Sequence, residues 1–194
     1  AEEIMEFIDY HGKYKSMEMA KVKGSFPNFK GSIYEKGELL RENGKLDWTS
    51  LAQQIKQHGI RNATVSTIAP TGTISMILNS SGGIEPQFSL VYIKQVLDGE
   101  KLYYINPWFE EEIRRQGLYS NELMEKVAES GSLRDLNLPE NLKRVYVTSH
   151  DISPEWHIKM QAAFQKYTDN AVSKTINFPR TATKEDIRIA FESA

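Results

Sequence analysis

Residues 62–93 contain a single charged residue, Glu85, in a chain of 194 residues that is 26% charged overall. A run of that length without charge is not an ordinary amphipathic surface element, because solvated faces of helices and strands carry Lys, Arg, Asp and Glu. Burial on both faces, as in a parallel sheet with its packed helices, accounts for the missing charge. It accounts less well for nine Ser or Thr residues in the same run, Thr64, Ser66, Thr67, Thr71, Thr73, Ser75, Ser80, Ser81 and Ser89. The second reading is that part of the run faces a ligand.

The flanking pattern is one of alternating helices and strands. Residues 2–23 read as a helix with Ile4, Phe7, Ile8 and Ala20 among solvated Glu and Lys, stopping near Gly24 and the Phe26-Pro27-Asn28 turn. A loop from Asn28 to Gly44 holds three glycines. Asp47 caps a helix with Trp48, Leu51 and Ile55 at helical spacing, closed by His58-Gly59. The β-branched run Ala63–Ala69, bounded by Pro70, predicts a strand, and a short helix over Ile74–Leu78 follows it. A second strand is expected within Gln87–Val96. Asn106-Pro107 opens a helix with Trp108, Phe109 and Ile113 on its apolar face, and Ser120 opens another that ends at Gly131.

In the last third, Val145–Thr148 reads as a strand and Ser153-Pro154-Glu155 as the start of a helix. Its apolar face would be Trp156, Met160, Ala163, Phe164 and Tyr167. Thr175–Phe178 is a further strand stopped by Pro179, and Thr183–Asp186 caps a final helix. Strand, helix, strand, helix implies an α/β fold of parallel strands with right-handed crossovers. A parallel sheet of this size has exposed edges, as in a domain cut from its context, and such an edge would permit a homodimer.

The sharpest local pattern is Pro70-Thr71-Gly72-Thr73-Ile74-Ser75. A strand ends, glycine admits a close ligand, and a helix begins with free N–H groups and its positive dipole end. Hydroxyls at Thr71, Thr73 and Ser75 add donors, which suits an anion such as phosphate. This is not a P-loop, since no Lys follows Gly72 and the spacing differs. An ordinary Thr-capped turn is the rival reading. Gly82-Gly83-Ile84-Glu85-Pro86 is the second candidate, because a lone Glu in uncharged surroundings has to be paired, protonated or facing a ligand.

Other residues fit structural roles. His11, His58, His150 and His157 lack metal-type spacing, and Asp151 suits backbone capping of its loop as well as ligand orientation. Tyr103-Tyr104 reads as a packed segment before the Asn106 helix rather than a radical relay. The absence of cysteine excludes disulfides, thiolate metal sites and a cysteine nucleophile within these residues. A net charge of −2 carries no basic stripe for nucleic acid, and no apolar run approaches a membrane span. The start has no signal-peptide pattern, so a cytoplasmic chain is expected, and it lacks an initiator Met, which fits a trimmed terminus or a piece of something longer.

Longer motifs point to a family. Arg61–Ser75 (RNATVSTIAPTGTIS) with Ser81–Pro86 (SGGIEP) resembles the adenosylcobalamin-dependent, class II ribonucleotide reductases. The resemblance extends to Phe26-Pro27-Asn28-Phe29, Gly31–Tyr34, Asp151–His157, Gln161–Lys166 and Asp169–Asn177, covering nearly the whole chain in order. It implies a ten-stranded α/β barrel in the whole enzyme, with residues 1–194 a single piece of its later half. It also implies that Pro70, Thr71, Gly72, Thr73, Ile74 and Ser75 bind the phosphates of a ribonucleotide substrate, expected to be a diphosphate, and that Gly82, Gly83, Ile84 and Glu85 line the active site.

In that family adenosylcobalamin generates a cysteine thiyl radical that abstracts the ribose 3′-hydrogen, and a cysteine pair reduces the 2′-carbon as water leaves. The Asn-x-Cys-x-Glu loop and every redox cysteine are absent here, so no catalytic role transfers to any residue of this chain. Glu85 belongs to the Gly-Ile-Glu-Pro run and does not correspond to the catalytic Glu. No Tyr pair follows Lys174-Thr175, which favours the cobalamin class over the class I large subunit and makes a separate radical-generating subunit unexpected. The expected partners are the substrate and the rest of the reductase chain. A stand-alone phosphate-binding module and a purely structural piece are the alternatives.

Overall fold

The computed structural model describes residues 1–39, 44–78, 80–95 and 101–194. They form two compact units, residues 1–71 with 159–173, and residues 72–158 with 174–194.

The first unit is built on α1 (Glu2–Lys23), α2 (Ile33–Lys36) and α3 (Trp48–His58), with both α1 and α2 packed on α3. Asp47 caps α3 by accepting from Ser50 N at 3.0 Å, a bond typically contributing about 1 kcal/mol. Gly59 ends the helix at φ 79°, where a side chain would also strike Ser25 Oγ, so glycine is required by conformation and by space. Met5, Met17, Tyr34, Leu51, Ile55, Ile60 and Tyr167 form the core, and Trp48 stacks on Tyr167 with ring centroids 6.2 Å apart. The 28–44 loop contains α2, capped by Ser32, and its residues 40–43 lie outside those described.

The inward stripe of α1 differs from the expected one. Ile4, Phe7 and Ile8 are exposed, while Glu6, Asp9, Lys13 and Ser16 are buried with Met5, Met17 and Ala20. The polar residues turn inward because each has a partner there. Glu6 Oε1 accepts from Leu46 N at 2.9 Å and from Trp48 Nε1 at 3.0 Å. Lys13 donates to Asp9 one turn earlier and to Asp169 Oδ1 at 2.6 Å. Ser16 Oγ donates to Asn62 Oδ1 at 3.0 Å and accepts from Asn62 N at 2.9 Å.

The second unit contains α4 (Gly72–Ile77), β1 (Val91–Gln95), β2 (Lys101–Ile105), α5 (Pro107–Arg115), α6 (Asn121–Ser130), α7 (Glu140–Val145), a 3-10 turn at Ser149–Asp151 and α9 (Lys184–Ser193); α8 (Pro154–Gln165) runs from this unit into residues of the first. Asn106 and Ser120 cap α5 and α6 as their sequences predict, and Thr183 with Asp186 forms a reciprocal capping box on α9. Leu90, Val91, Phe109, Ile113, Met124, Val127, Leu133 and Leu142 form the core. Trp108 is 58% exposed, because it lies about 100° around the helix from Phe109, which faces inward with Ile113 one turn on.

The strand expectations need the most revision. Among the described residues the sheet is one antiparallel pair of strands, with Val91 opposite Ile105 and Tyr92 opposite Tyr104. Residues 63–69 form no ladder strand and make one parallel bridge, Ile68 with Val172. Val145 ends α7 instead of opening a strand at 145–148, and 175–178 carries no ladder. The expected strand at 87–96 narrows to β1, with Val96 outside the described residues. A β-branched run makes the backbone extended, but a ladder also needs a neighbouring strand to take its N–H and C=O groups. On α8 the buried residues are His157 and Ile158, while Trp156 is 62% exposed and Met160 is exposed too. The uncharged stretch is itself largely exposed, including Ile74, Met76, Ile77 and Leu78, so burial within these units does not explain its composition.

The Lys13 ion network yields a direct test. Lys13→Met leaves the Asp9 and Asp169 carboxylates without their buried cation, at a cost of about 3–5 kcal/mol. Urea unfolding followed by circular dichroism is expected to show a much lower midpoint with an unchanged slope.

Candidate functional site

The chain crosses from the first unit to the second between Thr71 and Gly72. Thr71 has φ 52°, the one non-glycine residue with positive φ among those described. A β-carbon in that region is strained by roughly 1–2 kcal/mol, so the surrounding chain holds Thr71 against its preference. Gly72 starts α4, and a β-carbon built on it would meet nothing within 4 Å. The first-turn N–H groups of α4 have no acceptor inside the helix, as at any helix start. Thr73 and Ile74 are exposed beside this open approach. Ser75 is buried, and its Oγ donates to Gly72 O at 3.0 Å, so this hydroxyl is turned into the helix.

Gly82–Glu85 forms a turn closed by Glu85 N donating to Gly82 O at 3.0 Å, with Gly83 at φ 52°. Glu85 is paired. Its Oε2 lies 2.6 Å from Lys174 Nζ, and its Oε1 accepts from Thr175 N at 2.6 Å. The Lys174 side chain is 1% exposed and also donates to Thr175 O. A carboxylate with both oxygens engaged is not poised to take a substrate proton, so of the readings open for Glu85 the structure selects the paired one.

His157 is buried in the same unit, with Nε2 3.2 Å from Ser149 O. Burial and the nearby Lys174 charge push its imidazole below the ordinary value, outweighing the Ser149 carbonyl and Glu85. Asp151 is a capping residue. Its Oδ2 accepts from Thr148 N at 2.8 Å and from Thr148 Oγ1 at 3.0 Å, and its Oδ1 accepts from Ser132 Oγ at 2.5 Å. Burial opposes its ionisation, but these bonds and Arg134 hold the carboxyl below its usual range. His150 packs edge-on against Phe88, and His11 lies against Phe7 and Tyr10. Tyr103 and Tyr104 are on β2 and point to opposite faces, Tyr103 donating to Glu125 Oε1 at 3.0 Å. Among the described residues no group of three His, Asp or Glu could hold a metal ion.

Two features escape sequence reading. Lys174 lies 89 positions from Glu85, and no local pattern links them. The positive φ of Thr71 has no signal either, because glycine or asparagine is the usual occupant of that conformation.

Comparison with known proteins places this geometry in a family. The sequence profile of the ribonucleotide reductase barrel domain matches residues 1–194, and the chain belongs to that family. It is similar to the vitamin B12-dependent ribonucleoside-diphosphate reductase of Thermoplasma acidophilum, 44% identical over 193 residues that cover 100% of this chain and 23% of that protein. The protein of the same name in Mycobacterium tuberculosis is 41% identical over 135 residues, covering 69% of this chain and 19% of the relative. The ribonucleoside-diphosphate reductase subunit alpha of Chlamydia pneumoniae is 31% identical over 193 residues, covering 89% of this chain and 18% of the relative. The chain thus spans less than a quarter of the length of these relatives.

The lowered His157 pKa has a signed consequence. The unfolded chain binds the proton more readily than the folded one, so this contribution is full above the ordinary value of 6.5 and is lost as pH falls from there through the lower folded-state value. Denaturation curves between about pH 5 and 8 are expected to show a shallower acid-side decline for His157→Gln than for the parent chain.

Proposed function

We propose that this chain is the substrate-phosphate-holding part of an adenosylcobalamin-dependent ribonucleoside-diphosphate reductase, an enzyme converting ribonucleotides to 2′-deoxyribonucleotides. In the whole enzyme it forms part of a ten-stranded α/β barrel and works with the rest of the reductase polypeptide. Residues Pro70–Ser75 receive the substrate phosphates, and Gly82–Glu85 lines the same site. The observation that carries this reading is Thr71, strained at φ 52° directly before a helix start whose Gly72 faces open space. Backbone strain held at a helix N-terminus suits a loop shaped for an anion, since N–H groups and helix dipole then converge on it.

The subclass follows from the vitamin B12-dependent Thermoplasma and Mycobacterium relatives and from the absence of a tyrosine pair after Lys174-Thr175. Adenosylcobalamin supplies a radical in such enzymes. This segment has no cysteine to receive it, so the residues present do not fit a direct role with the cofactor and no radical step is assigned to them.

The test uses the full-length reductase that carries this segment, titrated calorimetrically with a ribonucleoside diphosphate. Gly72→Ala is expected to fold normally, because its β-carbon meets no neighbour, and to bind the diphosphate more weakly. Gly72→Glu should abolish binding by placing an anion at the helix start. Thr71→Gly should raise stability by about 1 kcal/mol through relief of strain while weakening binding. Binding unaffected by all three substitutions would remove the phosphate role. Turnover is expected to require adenosylcobalamin and no second radical-generating subunit.

A further inference from the structure

We infer that Lys174 is a positioning residue: its buried ammonium clasps Glu85 and so fixes the Gly82–Glu85 turn that follows α4. The inference rests on the reading of that turn as lining the nucleotide site.

The argument begins with the cost of burying an ammonium. Lys174 is 1% exposed along its side chain, and among the described residues Glu85 is the one carboxylate within 4.0 Å of it. A buried cation is tolerated when it is paired and its remaining protons are hydrogen-bonded, and Glu85 Oε2 and Thr175 O meet both needs. The carboxylate is held at both ends, one oxygen on the Lys174 side chain and the other on the Thr175 backbone N–H. Two-point attachment to consecutive residues sets its orientation as well as its position.

The turn needs such a hold. Gly82 and Gly83 are the least restricted residues available, and the bond from Glu85 N to Gly82 O closes the turn. Upstream, Ser80 N donates to Ser75 O at 2.9 Å, tying the chain to α4 just before the glycines begin. The glycine pair therefore lies between two anchors, the end of α4 and the Glu85–Lys174 clasp. Loss of the second anchor lets the turn sample many conformations, and a nucleotide must then order it on binding. His157, a titratable group close to the pair, is buried and bonded to Ser149 O, so it leaves the ammonium to Glu85.

The experiment uses the full-length reductase with Lys174→Met, Lys174→Arg, Glu85→Gln and the Glu85→Gln/Lys174→Met double variant. Amide hydrogen exchange is read across residues 80–86, and KM and kcat are measured with a ribonucleoside diphosphate. Lys174→Met should speed exchange at Gly83–Glu85 and raise KM by about tenfold with kcat within about threefold of the parent. Lys174→Arg, which keeps the charge, should return both readouts most of the way, and the double variant should be no worse than Lys174→Met alone. Unchanged exchange at residues 83–85 in Lys174→Met overturns the clasp, whatever happens to the kinetics. Faster exchange with unchanged KM overturns the positioning role. A parent enzyme that binds no ribonucleotide defeats the reading of the phosphate loop, a separate failure from either. Should Lys174→Met not fold, Glu85→Gln supplies the same two readouts, and unchanged exchange at residues 83–85 in Glu85→Gln would sink the proposal.

Discussion

The ammonium of Lys13, fully buried between Asp9 and Asp169, is the constraint from which the first unit is organised. A lone cation there would be prohibitive, so α1 can take its position only where Asp169 reaches the same place. The second oxygen of Asp169 accepts from Val65 N at 2.7 Å, and Asp169 N donates to Ser66 Oγ at 3.1 Å. The run 63–69 is thereby tied to the 169–173 segment, and the Ile68–Val172 bridge forms between them. Pro70 and Thr71, at the end of that run, inherit their placement from this network.

The second unit answers the same physical problem with a second buried lysine. Lys174 meets Glu85 much as Lys13 meets Asp169, each joining segments far apart in sequence by an ion pair with little exposure. Pairs of this kind contribute little net stability compared with apolar packing, yet breaking one is costly, so they specify arrangement more than they add stability. Asp169 of the first pair is bonded to Val65 and Ser66, which precede the candidate phosphate loop, and Glu85 of the second follows it. Irregular, glycine-bearing backbone has few ladder bonds, and a buried ion pair supplies the definition that secondary structure does not.

Helix ends were legible because their chemistry is local. Asp47, Asn106, Ser120 and Thr183 each cap the helix their side chains predict, through bonds to an N–H three residues on. Strands were much less legible. The runs 63–69, 145–148 and 175–178 have strand-like composition, but strand pairing depends on a neighbour that composition does not name. Helix faces failed where charge turned inward, as with Glu6, Asp9 and Lys13 on α1, because hydrophobic periodicity assumes that charged residues stay in water. Of the candidate site, the Pro70–Ser75 segment and Glu85 stood out from the missing charge, whereas Lys174 did not.

By itself the sequence determined most of the helices and the caps of α3, α5, α6 and α9, the family carried by long ordered motifs, and the lack of any cysteine for redox chemistry. Each is decided within a few residues or by the residues simply being present. The tertiary structure alone decided that Glu85 is paired, that Lys13 and Lys174 are buried, and that Thr71 is held at positive φ. Those outcomes turn on the free energy of burying charge and bending backbone, which depends on partners brought together from positions 89 and 156 residues apart.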